Sequence, residues 1–338
     1  MKNDVFKKLQ GMDFNNTNGP VSIAFDVTTR CNFHCRHCYN NSGDHIIDDV
    51  SDDVLINIAN QIADCKPLGV CLCGGEPLIR GDVIYELVEI ISKSCGTINL
   101  VSNGWLITPE VCKRLKACGL KAVQISVDGN TPYTHETTRL KSGAFQKALD
   151  AIRIIKESGL VPLASFCPHK INYKYFYETA KLVHSYGAVE IRSMPLICMG
   201  RGSNMKELQL SPDEYLEFQQ IIKKTEQDFI KIDEHFVVEW GDPIDHLYRL
   251  PNNYKVGFKS FAAEIRADGK LIVTAYLPLV IGDLQVHSLK EYWKAGFKDI
   301  WVNKDVEKYI TNIYSTNQFG EFIPQAYSGE DILIDILK

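Results

Sequence analysis

The chain has 338 residues, 45% apolar and 23% charged, an ordinary globular mix that excludes disorder or a fibre as the global description and allows a sizeable core. Its 37 Lys and Arg against 42 Asp and Glu leave a net charge of −5, which gives no electrostatic footprint for nucleic acid or anionic lipid. No apolar run approaches the roughly 18 residues of a membrane span, and none near the start reads as a signal peptide, so a cytoplasmic protein that binds neither nucleic acid nor membrane is predicted.

In chain order, residues 21–27 (VSIAFDV) alternate as a first strand and run into a loop holding Cys31, Cys35 and Cys38. Ser51, with Asp52 and Asp53 behind it, caps a helix to about residue 64. A short strand at 69–73 ends in Gly74-Gly75-Glu76-Pro77, a helix follows over 82–93, and a third strand at 97–101 ends in Ser102-Asn103-Gly104. Thr108-Pro109 opens the next helix and Gly119 closes it. Strands are predicted at 122–127, 160–166 and 189–194, with helices at 142–157, at 172–186 and from Ser211-Pro212. Six strands alternating with helices give βαβ units and a parallel sheet, whose ligands gather beyond the carboxyl ends of the strands. The cysteine loop, Gly74–Pro77, Ser102–Gly104, Asp128-Gly129 and Cys198–Gly202 all fall there. After about residue 228 the rhythm changes. A hairpin over 263–276 turns at Asp268-Gly269, a strand at 279–283 precedes a helix at 288–295, and a tail of weak periodicity starts at Asn303, giving a small α+β appendage.

Eleven cysteines, an odd number, with no export signal argue against a disulfide framework, and all lie at or before Cys198. Cys65, Cys95, Cys112 and Cys118 read as small core hydrophobes. Three thiols within eight residues suit a metal or an iron–sulfur cluster. A zinc site with His34 or His37 as fourth ligand is the rival reading, and the local sequence leans to the cluster because no second pair with zinc-knuckle spacing follows. Cys71-Leu72-Cys73 is too tight for such a pair.

Cys31-x3-Cys35-x2-Cys38 after a first strand, with Gly74-Gly75-Glu76-Pro77 after a second, resembles the radical S-adenosylmethionine (SAM) superfamily over about residues 20–205. The resemblance implies an α/β fold, a partial (β/α)6 TIM-like barrel over 20–228 with an N-terminal extension at 1–19. In that family three cysteines, here Cys31, Cys35 and Cys38, hold a 4Fe–4S cluster whose fourth iron takes SAM, and an electron cleaves SAM to a 5′-deoxyadenosyl radical that abstracts hydrogen. By the same resemblance His37 lies against the adenine. Gly74, Gly75, Glu76 and Pro77 receive the methionine amino group, with the glycines allowing close approach and Glu76 accepting. Ser126 and Asp128 contact the ribose and carboxylate, and Arg139 offers its guanidinium fork to the carboxylate. Ser102 and Asn103 are further contacts or plain turn formers.

Residues 229–302 resemble the SPASM or twitch segment of such enzymes in Ile265–Gly269, Ile281–Leu284 and Leu289–Trp293, with 303–338 as a tail. No cysteine stands near Ser260 or Thr274-Ala275, so a degenerate appendage and one 4Fe–4S cluster per chain are implied. The implied partners are a peptide or small-molecule substrate and an electron donor such as flavodoxin or ferredoxin. Peptide modification is the favoured reaction. The alternatives are epimerisation with a thiol at Cys198 or Cys167 returning hydrogen, modification of a haem-like cofactor, and a non-enzymatic zinc or iron–sulfur scaffold or sensor.

Overall fold

The computed structural model describes residues 17–241 and 260–338. The N-terminal extension therefore lies almost wholly outside the described residues, as do residues 242–259 of the expected appendage. A parallel run is built from β1 (Ser22–Asp26), β2 (Gly69–Cys73), β3 (Thr97–Ser102), β4 (Ala122–Ser126), β5 (Val161–Phe166), β6 (Glu190–Ser193) and β7 (Val237–Trp240), each paired with the next. Helices α1 (Asp52–Cys65), α2 (Val83–Ser92), α3 (Pro109–Ala117), α4 (Pro132–Arg139), α5 (Ala144–Glu157), α6 (Phe176–Tyr186) and α7 (Pro212–Ile232) intervene. The caps are those the sequence offers: Ser51 accepts from the Val54 N–H, Thr108 from Val111, and Ser211 closes a capping box with Glu214.

Two features depart from the expected element order. Helix α4 begins with Thr131-Pro132, the same N-cap and N1 proline pair seen at Thr108-Pro109. Only eight residues long and polar, it carries no apolar stripe to betray it. The alternation also continues past residue 228, because α7 runs on to Ile232 and delivers β7 to the edge of β6. The appendage then joins the same sheet. Strand β8 (Ala262–Ile265) pairs parallel with β1, and β9 (Lys270–Ile272) pairs antiparallel with both β8 and β10 (Leu279–Asp283). After α8 (Leu289–Ala295) and α9 (Lys304–Ile310), a short β11 (Ile332–Leu333) lies parallel to β10. The strand order is β11-β10-β9-β8-β1-β2-β3-β4-β5-β6-β7.

Alternation along the strands gives the sheet two unlike faces. Val70, Leu72, Ile98, Leu100, Val123 and Ile125 are buried with the helical residues Leu55, Ile58, Leu87, Ile91, Ile152 and Ile155 in the main core. The opposite face is polar. Register sets Glu264, Ala24 and Cys71 in one row, with Asp26 beside Cys73 in the next. The C-terminal tail folds back over this inner face, where buried Tyr327 donates its hydroxyl to Asp26 Oδ2 at 2.9 Å. No described helix is long and apolar enough to cross a membrane.

Candidate active site

The loop between β1 and α1 brings Cys31, Cys35 and Cys38 into one packed cluster with Phe33 and Trp105. Cys35 is buried and the other two are half-buried. Burial pushes the Cys31 thiol up to about 12, partly offset by the Phe33 N–H, and the Cys35 and Cys38 sulfurs push further. Burial also raises Cys35, against the pull of the Arg139 and Arg201 guanidiniums. Three desolvated thiols on one loop with cations beside them are the donor chemistry an iron–sulfur core takes, though among the described residues no three such side chains already stand in position to hold a metal ion. Neither histidine completes a zinc set. His34 is exposed and faces Asp44 at 3.4 Å, and the His37 Nε2 faces Asp128 at 3.6 Å.

The loop is held from outside by groups that sequence reasoning did not single out. Arg201 donates from Nε to the Cys35 carbonyl at 3.0 Å and from Nη2 to the Ser42 carbonyl at 2.9 Å, while Nη1 pairs with Asp44. Asp49 accepts from the Thr29 N–H at 2.6 Å and from its hydroxyl at 2.8 Å, and is met by Arg80 and Arg30. The Arg36 N–H donates to the Thr138 carbonyl at 2.7 Å, tying the loop to the end of α4.

Gly74 and Gly75 serve the same loop. A Cβ at Gly74 would stand 2.3 Å from the Thr28 carbonyl oxygen, and one at Gly75 2.2 Å from that of Arg30. The close approach these glycines allow is therefore to the backbone entering the cysteine loop, and two bonds seal it: Gly75 N–H to Thr28 O at 2.8 Å and Glu76 N–H to Arg30 O at 2.9 Å. Glu76 is an acceptor whose donors in this structure come from the chain itself. It has no exposed surface, and its carboxylate accepts from the Ser102 hydroxyl at 3.1 Å, the Asn103 N–H at 2.8 Å and the Leu78 N–H at 3.3 Å. Burial pushes it up to about 7 against those donors. Ser102 and Asn103 are more than turn formers, since Asn103 also donates from Nδ2 to Asn32 Oδ1 at 2.8 Å beside Cys31. Pro77 is buried and opens the 3₁₀ turn Pro77–Arg80.

On the other side of the loop stands Asp128, just past β4. It accepts from Arg139 Nε at 2.8 Å and from the Cys167 N–H at 3.0 Å. Its own N–H donates to His135 Nδ1 at 3.1 Å, and its carbonyl accepts from Asn172 Nδ2 at 2.9 Å. Burial pushes the carboxyl up, but the Arg139 guanidinium holds it well below the usual range. His37 is driven down to about 4 by burial despite the nearby Asp128 charge, so its ring is neutral at pH 7. Ser126 ends β4, in register with Ser165 of β5 and half-buried on the inner face. Cys198 is only 1% exposed and is enclosed with Leu196 and Met205. Cys167 packs against that cluster and is half-buried. The thiols that line the inner face are Cys71 and Cys73, with sulfurs 3.3 Å apart.

The loop after the first strand and the turns after the second, third and fourth thus meet at one end of a parallel sheet, and residues 25–183 match the model described as the radical SAM superfamily. The chain carries a radical SAM domain over these residues. It is a radical SAM enzyme, using a 4Fe–4S cluster and SAM. Among curated relatives, the AdoMet-dependent heme synthase of Methanosarcina barkeri is 27% identical over 82% of this chain and 83% of its own length. The mycofactocin maturase MftC of Mycobacterium tuberculosis is 30% identical over 55% of this chain and 47% of its own, so the chain spans about half of that relative. Among solved structures, native anSMEcpe with bound AdoMet and Cp18Cys peptide has a TM-score of 0.64 at 16% identity, covering 88% of this chain and 84% of its own, a likeness of fold.

Proposed function

We propose that Cys31, Cys35 and Cys38 ligate the cluster, that Arg139 takes the SAM carboxylate while His37 lies against the adenine, and that the substrate is a peptide. When bound, the cluster supplies the electron that cleaves SAM to a 5′-deoxyadenosyl radical. This chain's residues then do the positioning. Glu76, fixed by Ser102 and Asn103, stands behind the Gly74-Gly75 turn that receives the methionine amino group. Ser126 and its neighbours face the ribose from the inner side of β4.

The observation that carries the substrate class is the inner face. Asp26 and Glu264 sit there among Tyr39, Tyr276 and Tyr327, and burial pushes Asp26 up to about 6 and Glu264 up to about 8. The nearby cation, Arg266, is committed to Asp268 and Asp331. Such a lining accepts amides and amines and repels a substrate rich in carboxylates. A haem-like substrate is the second reading, favoured by a relative matched over 82% of this chain. Anaerobic turnover with SAM and reductant separates them. Release of 5′-deoxyadenosine that rises several-fold with candidate peptides and not with carboxylate-bearing tetrapyrroles supports the peptide, and the reverse result overturns it. An electron donor of the flavodoxin or ferredoxin class is proposed to serve the reaction.

A further inference from the structure

Asp128 was expected to touch SAM, yet each of its polar groups already has a partner within the chain. Its two carboxylate oxygens accept from Arg139 Nε and the Cys167 N–H, its N–H goes to His135 Nδ1, and its carbonyl takes Asn172 Nδ2. Asn172, fully buried, uses the same amide nitrogen on the Cys167 carbonyl at 2.9 Å and accepts the His169 N–H at 2.7 Å, so the turn after β4 and the turn after β5 are one rigid piece. Arg139 is different. Only its Nε is committed to Asp128, and no described hydrogen bond uses its two terminal nitrogens. The Cys35 loop lies against this pair: the Arg36 N–H donates to the Thr138 carbonyl at 2.7 Å, next to Arg139 at the end of α4, and His37 Nε2, two positions past Cys35, faces Asp128 Oδ2 at 3.6 Å.

We propose that Asp128 and Arg139 form a buried charge couple that sets the reduction potential of the group on Cys35: Arg139 eases the arrival of an electron there, and Asp128 limits how strongly Arg139 does so. Asp128 is thus a positioning residue rather than a SAM ligand, and Asn172 holds it in place. The inference rests on the reading of Cys31, Cys35 and Cys38 as cluster ligands. The electrostatics follow from sign alone. A cation beside a thiolate ligand favours the reduced, more negative state, and a neighbouring carboxylate opposes it. Both partners are buried, Asp128 to 1% and Arg139 to 8% exposure, so water screens the effect weakly. Among the described residues, Arg139 is the guanidinium bonded to Asp128, at 2.8 Å.

The test is an EPR-monitored redox titration of the full chain, reconstituted and without SAM. Arg139→Gln is expected to make the midpoint potential more negative and Asp128→Asn to make it less negative. The double variant, which removes both charges, should return close to the parent, and Arg139→Lys, which keeps the cation, should stay near it while binding SAM several-fold more weakly. A common loss of structure cannot produce shifts of opposite sign that cancel in the double variant. A 4Fe–4S signal whose potential moves the same way in both single variants, or in neither, overturns the proposal. A parent chain that gives no 4Fe–4S signal at all overturns the underlying ligand assignment and the proposal with it.

Discussion

Glu76 shows how a site residue can matter without touching what it serves. Its carboxylate satisfies three donors of the chain in a place without water. Glu76→Gln leaves one of the two N–H groups facing a donor, which costs about 1–3 kcal/mol. Thermal unfolding of the cluster-free chain should report that loss, together with weaker SAM retention in the reconstituted enzyme. An unchanged melting temperature would mean that the carboxylate is not held in this way. The residue scale is also where the sequence was most informative about the site. Cys31, Cys35 and Cys38 are close in the chain, so their spacing alone declares a shared ligand. Arg201 and Asn172 were illegible for the opposite reason. Arg201 reaches Cys35 from 166 positions away and Asn172 reaches Asp128 from 44, and no local pattern marks a side chain whose partner is chosen by the fold.

At the scale of elements, the cysteine loop has no regular structure of its own and is shaped by struts from its neighbours. Arg201, from the segment after β6, is the longest of them. Arg201→Ala removes two hydrogen bonds to loop carbonyls and the pair with Asp44. The expected outcome is a chain that melts within a few degrees of the parent but retains less than half its iron after reconstitution and desalting; full iron retention would show that the loop keeps its form unaided. The elements themselves were largely legible. Most of strands β1 to β6 announce themselves by alternating apolar runs, α3 and α7 by a Ser or Thr cap with proline at N1, and α1 by its Ser51 cap. Strand β7 was missed because its four residues are half-buried at the edge and give no contrast between faces. That β8 continues the sheet beside β1 could not be read either, since the pairing joins residues some 240 positions apart and the alternation of a strand does not name its neighbour.

For the molecule as a whole, the buried carboxylates of the inner face make a prediction about pH. Burial raises Asp26 from 3.8 to about 6 and Glu264 from 4.5 to about 8. Folding therefore takes up protons between the unfolded and folded values, and the stability these groups contribute is complete below about pH 4 and lost as pH rises through 6 and 8. The cluster-free chain should melt at a lower temperature at pH 8 than at pH 5.5, and Asp26→Asn with Glu264→Gln should flatten that slope; a pH dependence that the double substitution leaves unchanged would mean that both groups are already ionised in the folded state. Low dielectric around a buried, polar inner face also suits a chamber in which a radical must meet its substrate and not solvent. The central claim, that three thiols on one loop hold a cluster open to SAM, is tested most directly by anaerobic reconstitution followed by reduction with SAM present. The parent chain is predicted to bind about four irons and release 5′-deoxyadenosine, with Cys35→Ala losing both. A colourless chain that carries zinc on these cysteines and releases no 5′-deoxyadenosine would contradict it.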